Sequence, residues 1–380
     1  MEEQSMNASS TLSTDDAPDV LSEVHGHIGL ITLNRPKALN ALSLSMIRAL
    51  TQCLLAWRDD DRVKAVAIRG TSKTGPFGAF CAGGDIRFFH QAALAGNSEL
   101  EDFFTEEYAL NHLIHRYPKP YIAFMDGIVM GGGMGISQGA SLRIVTERTK
   151  MAMPETNIGL FPDVGGGYFL SRCPGRVGEW LALTGEMIGA GGALEFGLAD
   201  TCFDKARLES AWQALASTDF DRPGAIDQWN AMFSIASLPY STRATGQIDQ
   251  YFSKGSVTDM VHALEAGGSD WAQHTAATLR RRSPLMLHVV LAQIRRARDM
   301  TLADDLRMER DMVHHCFHPQ HLNRSASQSE TVEGIRALAV DKDNAPCWNP
   351  ARIEEVTPDM VAPYFISPWT PTTHPLRELN

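Results

Sequence analysis

The stretch VMGGGMGISQGASL, Val129 to Leu142, decides how this chain is to be read. It follows the apolar run YIAFMDG (121–127) and leads into LRIVTE (142–147), so it joins two strand-like segments through a glycine turn and a helical piece. Two chemistries compete inside it. Gly135-Ile136-Ser137-Gln138-Gly139 fits G-x-S-x-G, the nucleophile elbow of serine hydrolases, in which the serine stands at the turn between strand and helix. Gly131-Gly132-Gly133 instead reads as a loop whose bare backbone N–H groups do the work. On that second reading Ser137 lies well inside the helix that the glycines begin, too deep for an elbow.

Working outward, HIGLITLN (27–34) and VKAVAIRG (63–70) are further strands. RPKALNALS (35–43) carries turn and helix-start signals, and LSMIRALTQCLLAW (44–57) has helical periodicity. Helices are also expected over Ile86–Ala95 and Leu100–Tyr117, and this alternation predicts an α/β core. Beyond about Phe220 the texture changes to long amphipathic helices, including SPLMLHVVLAQIRRARDM (283–300), where Ser283 and Pro284 read as cap and first helical residue. The expected division is a disordered tail over 1–18, a core over 19–220 and a mainly helical region over 221–380.

Composition narrows the partners. With 44% hydrophobic and 21% charged residues in 380, the chain has an ordinary globular profile, and no apolar run approaches bilayer length. A formal charge of −11 argues against nucleic acid, whose phosphates need concentrated Lys and Arg. An anionic small molecule could still use a local basic patch, for which Arg35, Lys37, Lys73, Arg87 and Arg280 to Arg282 are candidates. The opening MEEQSMNASSTLSTDDAPD is acidic, without Arg or an apolar core, and reads as neither a secretory signal nor a typical mitochondrial presequence. Together with six dispersed cysteines, it leads to the expectation of a cytoplasmic protein with reduced thiols.

Two glycine turns, AFCAGGDI (79–86) and MGGGMG (130–135), each follow a strand and precede a helix. A helix N-terminus offers free N–H donors, and two such turns could aim two donors at one oxygen, as an oxyanion hole requires. The bland alternative is tight helix–sheet packing. Neither turn matches a dinucleotide or phosphate-loop pattern, so a nucleotide cofactor is not expected. MPETNIGLFPDVGGGYF (153–169) sets Glu155 and Asp163 in apolar surroundings, expected on a strand end and a loop. Such carboxylates suit proton transfer or nucleophilic attack, although capping a helix and ordering a turn would also account for them. His314, His315, His318 and His321 fall in a polar stretch, HHCFHPQHLNRSASQSE, and are expected to be solvated loop histidines rather than metal ligands.

The segments ITLNRPKALNALSLSMI, AFCAGGDIR, EEYALN, KPYIAFMDGIVMGGGMG, AMPETNIGLFPDVGGGYFL and LALTG, with EGIRALAVDKDNAPCWNP near the end, resemble the crotonase (enoyl-CoA hydratase/isomerase) superfamily. GLFPDVGGGYFL resembles its hydrolase-like branch in particular. The resemblance implies a crotonase (ClpP-like) fold of repeated ββα units with a mainly helical C-terminal region. It implies that Gly84 and Gly132 bind the thioester oxygen, that Glu155 and Asp163 are catalytic, and that Glu107 reaches the acyl part of the substrate. On residues alone, Glu107 would be a solvated helix face beside Glu106. The implied activity is hydrolysis of a 3-hydroxyacyl-CoA thioester, 3-hydroxyisobutyryl-CoA of valine breakdown first, with CoA as part of the substrate and no separate cofactor. A homo-oligomer, and a mitochondrial matrix location in a eukaryote, are compatible with it. Hydratases of the family carry a second Glu at the place of Gly135 and a glycine at that of Asp163. Both are exchanged here, which favours thioester hydrolysis over hydration, because a thiol of pKa about 8.5 leaves without strong acid assistance.

Overall fold

The structure, a computed structural model, describes residues 17–235 and 245–380. The expected tail therefore lies, up to residue 16, outside the described residues. A six-stranded sheet runs in the order β1-β2-β3-β4-β6-β8. Its strands are β1 (Val20–His25), β2 (Ile28–Leu33), β3 (Ala65–Gly70), β4 (Tyr121–Met125), β6 (Leu142–Thr146) and β8 (Thr201–Phe203). The β1–β2 pair is antiparallel and the other pairs are parallel. A second, parallel pair joins β5 (Ile128–Met130) to β7 (Lys150–Ala152).

Alternation along the strands divides the core in two. Ile31 and Leu33 of β2, Val66 and Ile68 of β3, and Ala123 and Met125 of β4 face one cluster. Their neighbours Ile28, Leu30, Ala65, Ala67, Ile122 and Phe124 face the other, covered by Trp212, Trp229 and Phe233 from the helices Leu208–Leu215 and Ala225–Phe233. Burial on both faces is what apolar, β-branched parallel strands require. The first cluster continues through α1 (Leu44–Arg58) and α3 (Glu99–His115) into the helices Pro284–Ala297 and Leu302–Phe317, and reaches Tyr364 and Leu376. The C-terminal helices thus share the apolar interior that lies beneath the sheet.

The ββα repeat is visible in the chain's path. After β3 the chain makes a bridge from Cys81 to Val129 in the second sheet and then enters α2 (Ile86–Ala95). After β4 it forms β5 and then α4 (Gly132–Gln138). After β6 it forms β7, a 3-10 turn over Glu155–Ile158, and α5 (Gly166–Ser171). Each pass delivers the start of a helix to the same edge of the small sheet, and the site is assembled there. Strands β1, β5, β7 and β8 are not expected from periodicity. Three of these are only three residues long, and β1 is a largely exposed edge strand whose Glu23 and His25 break the apolar pattern.

Candidate active site

The two glycine turns meet. Gly83 has φ +106 and Gly131 φ +47, a backbone region that favours glycine, and an atom at the Cβ position of Gly83 would lie 3.7 Å from the Gly132 nitrogen. Leu42 fixes the first turn from both sides: its N–H donates to the Gly83 carbonyl at 2.8 Å and its carbonyl accepts from Asp85 at 3.0 Å. Asp85 caps α2, accepting from the Phe88 N–H. Gly132 is the first residue of α4, where no intrahelical acceptor exists for its N–H. Among the described residues, neither the Gly84 nor the Gly132 N–H is committed to a backbone carbonyl. Two uncommitted donors, those of Gly84 and Gly132, therefore border one space.

Glu107, Glu155 and Asp163 line that same cavity of about 210 Å³ with Gly84 and Gly132. Each carboxylate is at most 6% exposed. Glu107 comes from α3, and the structure does not make it a solvated face; that description fits its neighbour Glu106, which pairs with Arg48 at 2.7 Å. Glu155 lies beyond the end of β7 and opens the 3-10 turn, so it is on a short helix rather than the strand end expected. Asp163 stands in the loop before α5, as anticipated. A side chain at Gly132 would come within 2.5 Å of Glu107 Oε1, and one at Gly131 within 2.9 Å of Glu155 Oε1. Glycine is needed here for close approach as much as for the turn. Glu107 Oε1 and Glu155 Oε2 are buried without a hydrogen-bond partner.

Removal from water dominates the electrostatics. Burial, reinforced by the negative field of Asp163, pushes the Glu155 carboxyl well above the ordinary range, and burial with Asp163 and Glu155 does the same to Glu107. Asp163 is raised by burial to about 7, and a hydrogen bond from the Tyr108 hydroxyl, 2.9 Å from Oδ2, holds it down against further rise. Burial thus favours the protonated form of all three carboxyls, and the Tyr108 hydroxyl favours ionised Asp163. Sequence reasoning does not find Tyr108. Its position beside Glu107 is no signal, because consecutive helix residues point about 100° apart, and only the folded loop brings Asp163 to the Tyr108 hydroxyl.

Ser137 is fully buried, and its hydroxyl donates to the Gly133 and Met134 carbonyls of its own helix at 2.8 and 3.2 Å. That is the back-bonding of a core helical serine, not an activated nucleophile. The neighbouring Gly135 has no room for a side chain: a Cβ there would lie 2.6 Å from Val164 Cβ and 2.9 Å from Asn111 Nδ2.

The basic candidates separate. Arg35 is paired with Asp85 at 2.9 Å, and Arg280 with Glu265 and Glu354. Arg282 is directed inward, donating to the Thr184 carbonyl and to Asn157. Arg281 lines a groove that shares Asn157 and Leu338 with the cavity, and Arg87 lines another with His90 and Lys342. Of the histidines expected in a loop, only His318 lies between elements, and His321 sits in the short 3-10 turn Pro319–Leu322. His314 and His315 form the last turn of the Leu302–Phe317 helix, whose buried Met312, Val313 and Cys316 sustain its periodicity. His314 Nδ1 and His318 Nε2 lie 3.2 and 2.9 Å from one oxygen of Glu101, whose other oxygen Arg310 holds. His321 is partly buried with no partner on either ring nitrogen.

The profile of the enoyl-CoA hydratase/isomerase family matches residues 28–365. The chain belongs to that family. Within the family it is similar to the mitochondrial 3-hydroxyisobutyryl-CoA hydrolases of Danio rerio, 39% identical over 94% of this chain and 91% of the relative, and of Homo sapiens, 37% identical over 93% and 90%. Among solved structures it resembles one described as a carnitinyl-CoA dehydratase from Mycobacterium thermoresistibile, with a TM-score of 0.84 and 38% identity, covering 92% of this chain and 97% of that one. The fold is the crotonase fold with a mainly helical C-terminal region.

Proposed function

We propose that this chain hydrolyses the thioester of 3-hydroxyisobutyryl-CoA, and related 3-hydroxyacyl-CoA esters, to the free acid and CoA. One observation carries the reading: two buried carboxyls, Glu155 and Asp163, share a cavity with two uncommitted N–H donors, while Gly135, the place of a hydratase's second glutamate, is closed by Val164. The names of the curated relatives support the same substrate.

In this scheme the thioester oxygen accepts from the Gly84 and Gly132 N–H groups, which stabilise the charge that develops there. Glu155 gives its proton to the Asp163 carboxylate and attacks the carbonyl carbon. The C–S bond breaks, Asp163 returns the proton to the departing sulfur, and a mixed anhydride on Glu155 remains. Water then adds, losing a proton to Asp163, and the anhydride opens to the free acid and Glu155, which takes the proton back from Asp163. Glu107 Oε1, otherwise partnerless, accepts a hydrogen bond from the 3-hydroxyl. No cofactor enters the scheme, because CoA arrives with the substrate. The grooves at Arg87 with Lys342 and at Arg281 support an anionic carrier outside the cavity. The relatives' mitochondrial names support the matrix as the site of action in a eukaryotic source.

Hydration of an enoyl-CoA is the second reading, favoured by the description of another solved relative, an enoyl-CoA hydratase from Rhodobacter sphaeroides with 34% identity and a TM-score of 0.79. A panel of CoA esters separates the two. Saturated 3-hydroxy esters should release free thiol, with unsaturated esters keeping their double bond. Loss of the enoyl absorbance with CoA retained would reverse the assignment.

A further inference from the structure

We infer that Glu309, on the Leu302–Phe317 helix, is the positioning residue of the Asp163 turn, holding the backbone after a strained Val164 directly and the backbone before Asp163 through Gln293. Val164 follows Asp163 directly and has φ +56, a left-handed conformation that is an outlier for a β-branched residue. Glycine could adopt it freely, yet valine is there and is buried. Something outside the turn must impose the geometry. Glu309 Oε2 accepts from the Gly165 N–H at 2.7 Å, and Oε1 accepts from the Gly167 N–H at 2.9 Å. Gln293, from the Pro284–Ala297 helix, donates to Glu309 Oε1 at 3.0 Å and to the Pro162 carbonyl at 2.7 Å. The backbone is therefore gripped at 162, 165 and 167, on either side of Asp163 and Val164.

Asp305, one turn before Glu309, accepts from the Tyr168 N–H at 2.7 Å and extends the grip. A carboxylate is a poor choice for packing at a position with no exposure, since burying one is costly unless it is fully hydrogen-bonded. Its use here is explained by the two amide donors it must accept from, which an apolar side chain would leave orphaned. Glu309 does not line the cavity and acts on the reaction only through the turn. The C-terminal helices thereby contribute to catalysis by fixing where Asp163 points.

The role in turnover rests on the proposed hydrolase activity, and the grip itself can be read without it. Glu309→Gln keeps one acceptor oxygen and Glu309→Ala keeps none. In the full chain, kcat for 3-hydroxyisobutyryl-CoA should fall about tenfold in the first and by a further factor of about ten in the second, with KM within about threefold of wild type. Hydrogen exchange followed by mass spectrometry should show faster exchange in peptides spanning 163–168, with α1 and the sheet unchanged. Wild-type exchange at 163–168 in folded Glu309→Gln would overturn the grip, even if no ester is turned over. Faster exchange with unchanged kcat, or a change confined to KM, would overturn the positioning role. Should Glu309→Ala not fold, Glu309→Gln decides both points. A wild-type chain that releases no thiol would remove the hydrolase reading and leave the exchange result standing.

Discussion

Asp163→Asn should make the protein more stable at neutral pH while destroying its activity. Asp163 is raised from an ordinary 3.8 to about 7, chiefly by burial. Between those values the folded chain keeps a proton that the unfolded chain has lost, so rising pH favours unfolding across that window, and the cost is complete above about 7. A window about three pH units wide corresponds to about 4 kcal/mol at 1.36 kcal/mol each. Asparagine has no charge to bury, and its carbonyl still accepts from Tyr108, so the variant escapes this cost. Urea unfolding of both proteins at pH 5 and pH 8 measures it. Roughly two pH units of that window lie above pH 5, so the stability gap in favour of Asp163→Asn should widen by about 3 kcal/mol on going to pH 8. Loss of the Asp163 charge also relieves Glu155 and Glu107, which adds in the same direction. A gap that stays constant, or narrows with pH, would refute the claim that Asp163 is held as a destabilised acid.

Three other outcomes are expected. Tyr108→Phe removes the donor that favours ionised Asp163, so the acid limb of the kcat/KM profile should move to higher pH, with kcat on the plateau little changed. Glu107→Ala should flatten the preference for 3-hydroxy over unsubstituted acyl-CoA esters, a preference worth about 1–3 kcal/mol when a buried acceptor loses its donor; equal discrimination in both proteins would take Glu107 out of the acyl pocket. Ser137→Ala, assayed by thiol release, should keep most of the wild-type rate, because the hydroxyl only back-bonds within α4. A folded but inactive Ser137→Ala would restore the serine-nucleophile reading.

Much of the site is legible in the residue pattern because its parts are local. Each glycine turn runs directly into a helix, and the helix starts at Ser43, Ser283 and Pro284 are short-range signals. The small sheet escapes notice because its strands are only three residues long and contribute almost no periodicity. Glu107 can be separated from Glu106 only by family resemblance, since one step along a helix decides which carboxylate meets the cavity and which meets Arg48. Tyr108 and Glu309 are not legible at all. Tyr108 meets Asp163 across 55 residues, and Glu309 meets Gly165 across 144, so each contact exists only once tertiary packing has formed. The histidines at 314 and 315 read as loop residues because Pro319 and the serines beyond them dominate the local composition, while the buried face of the preceding helix in fact continues through Phe317.

The most direct test of the carboxylate site is the rate of thiol release from 3-hydroxyisobutyryl-CoA at saturating substrate, compared between the wild-type chain and Glu155→Gln. The substitution keeps the size of the side chain and removes both its acidic proton and the nucleophilic carboxylate oxygen that forms when that proton leaves. If Glu155 attacks or activates water beside the Gly84 and Gly132 donors, the variant should bind the ester and lose between about a hundredfold and ten-thousandfold in kcat. A folded Glu155→Gln that releases CoA at a tenth of the wild-type rate or faster would contradict it.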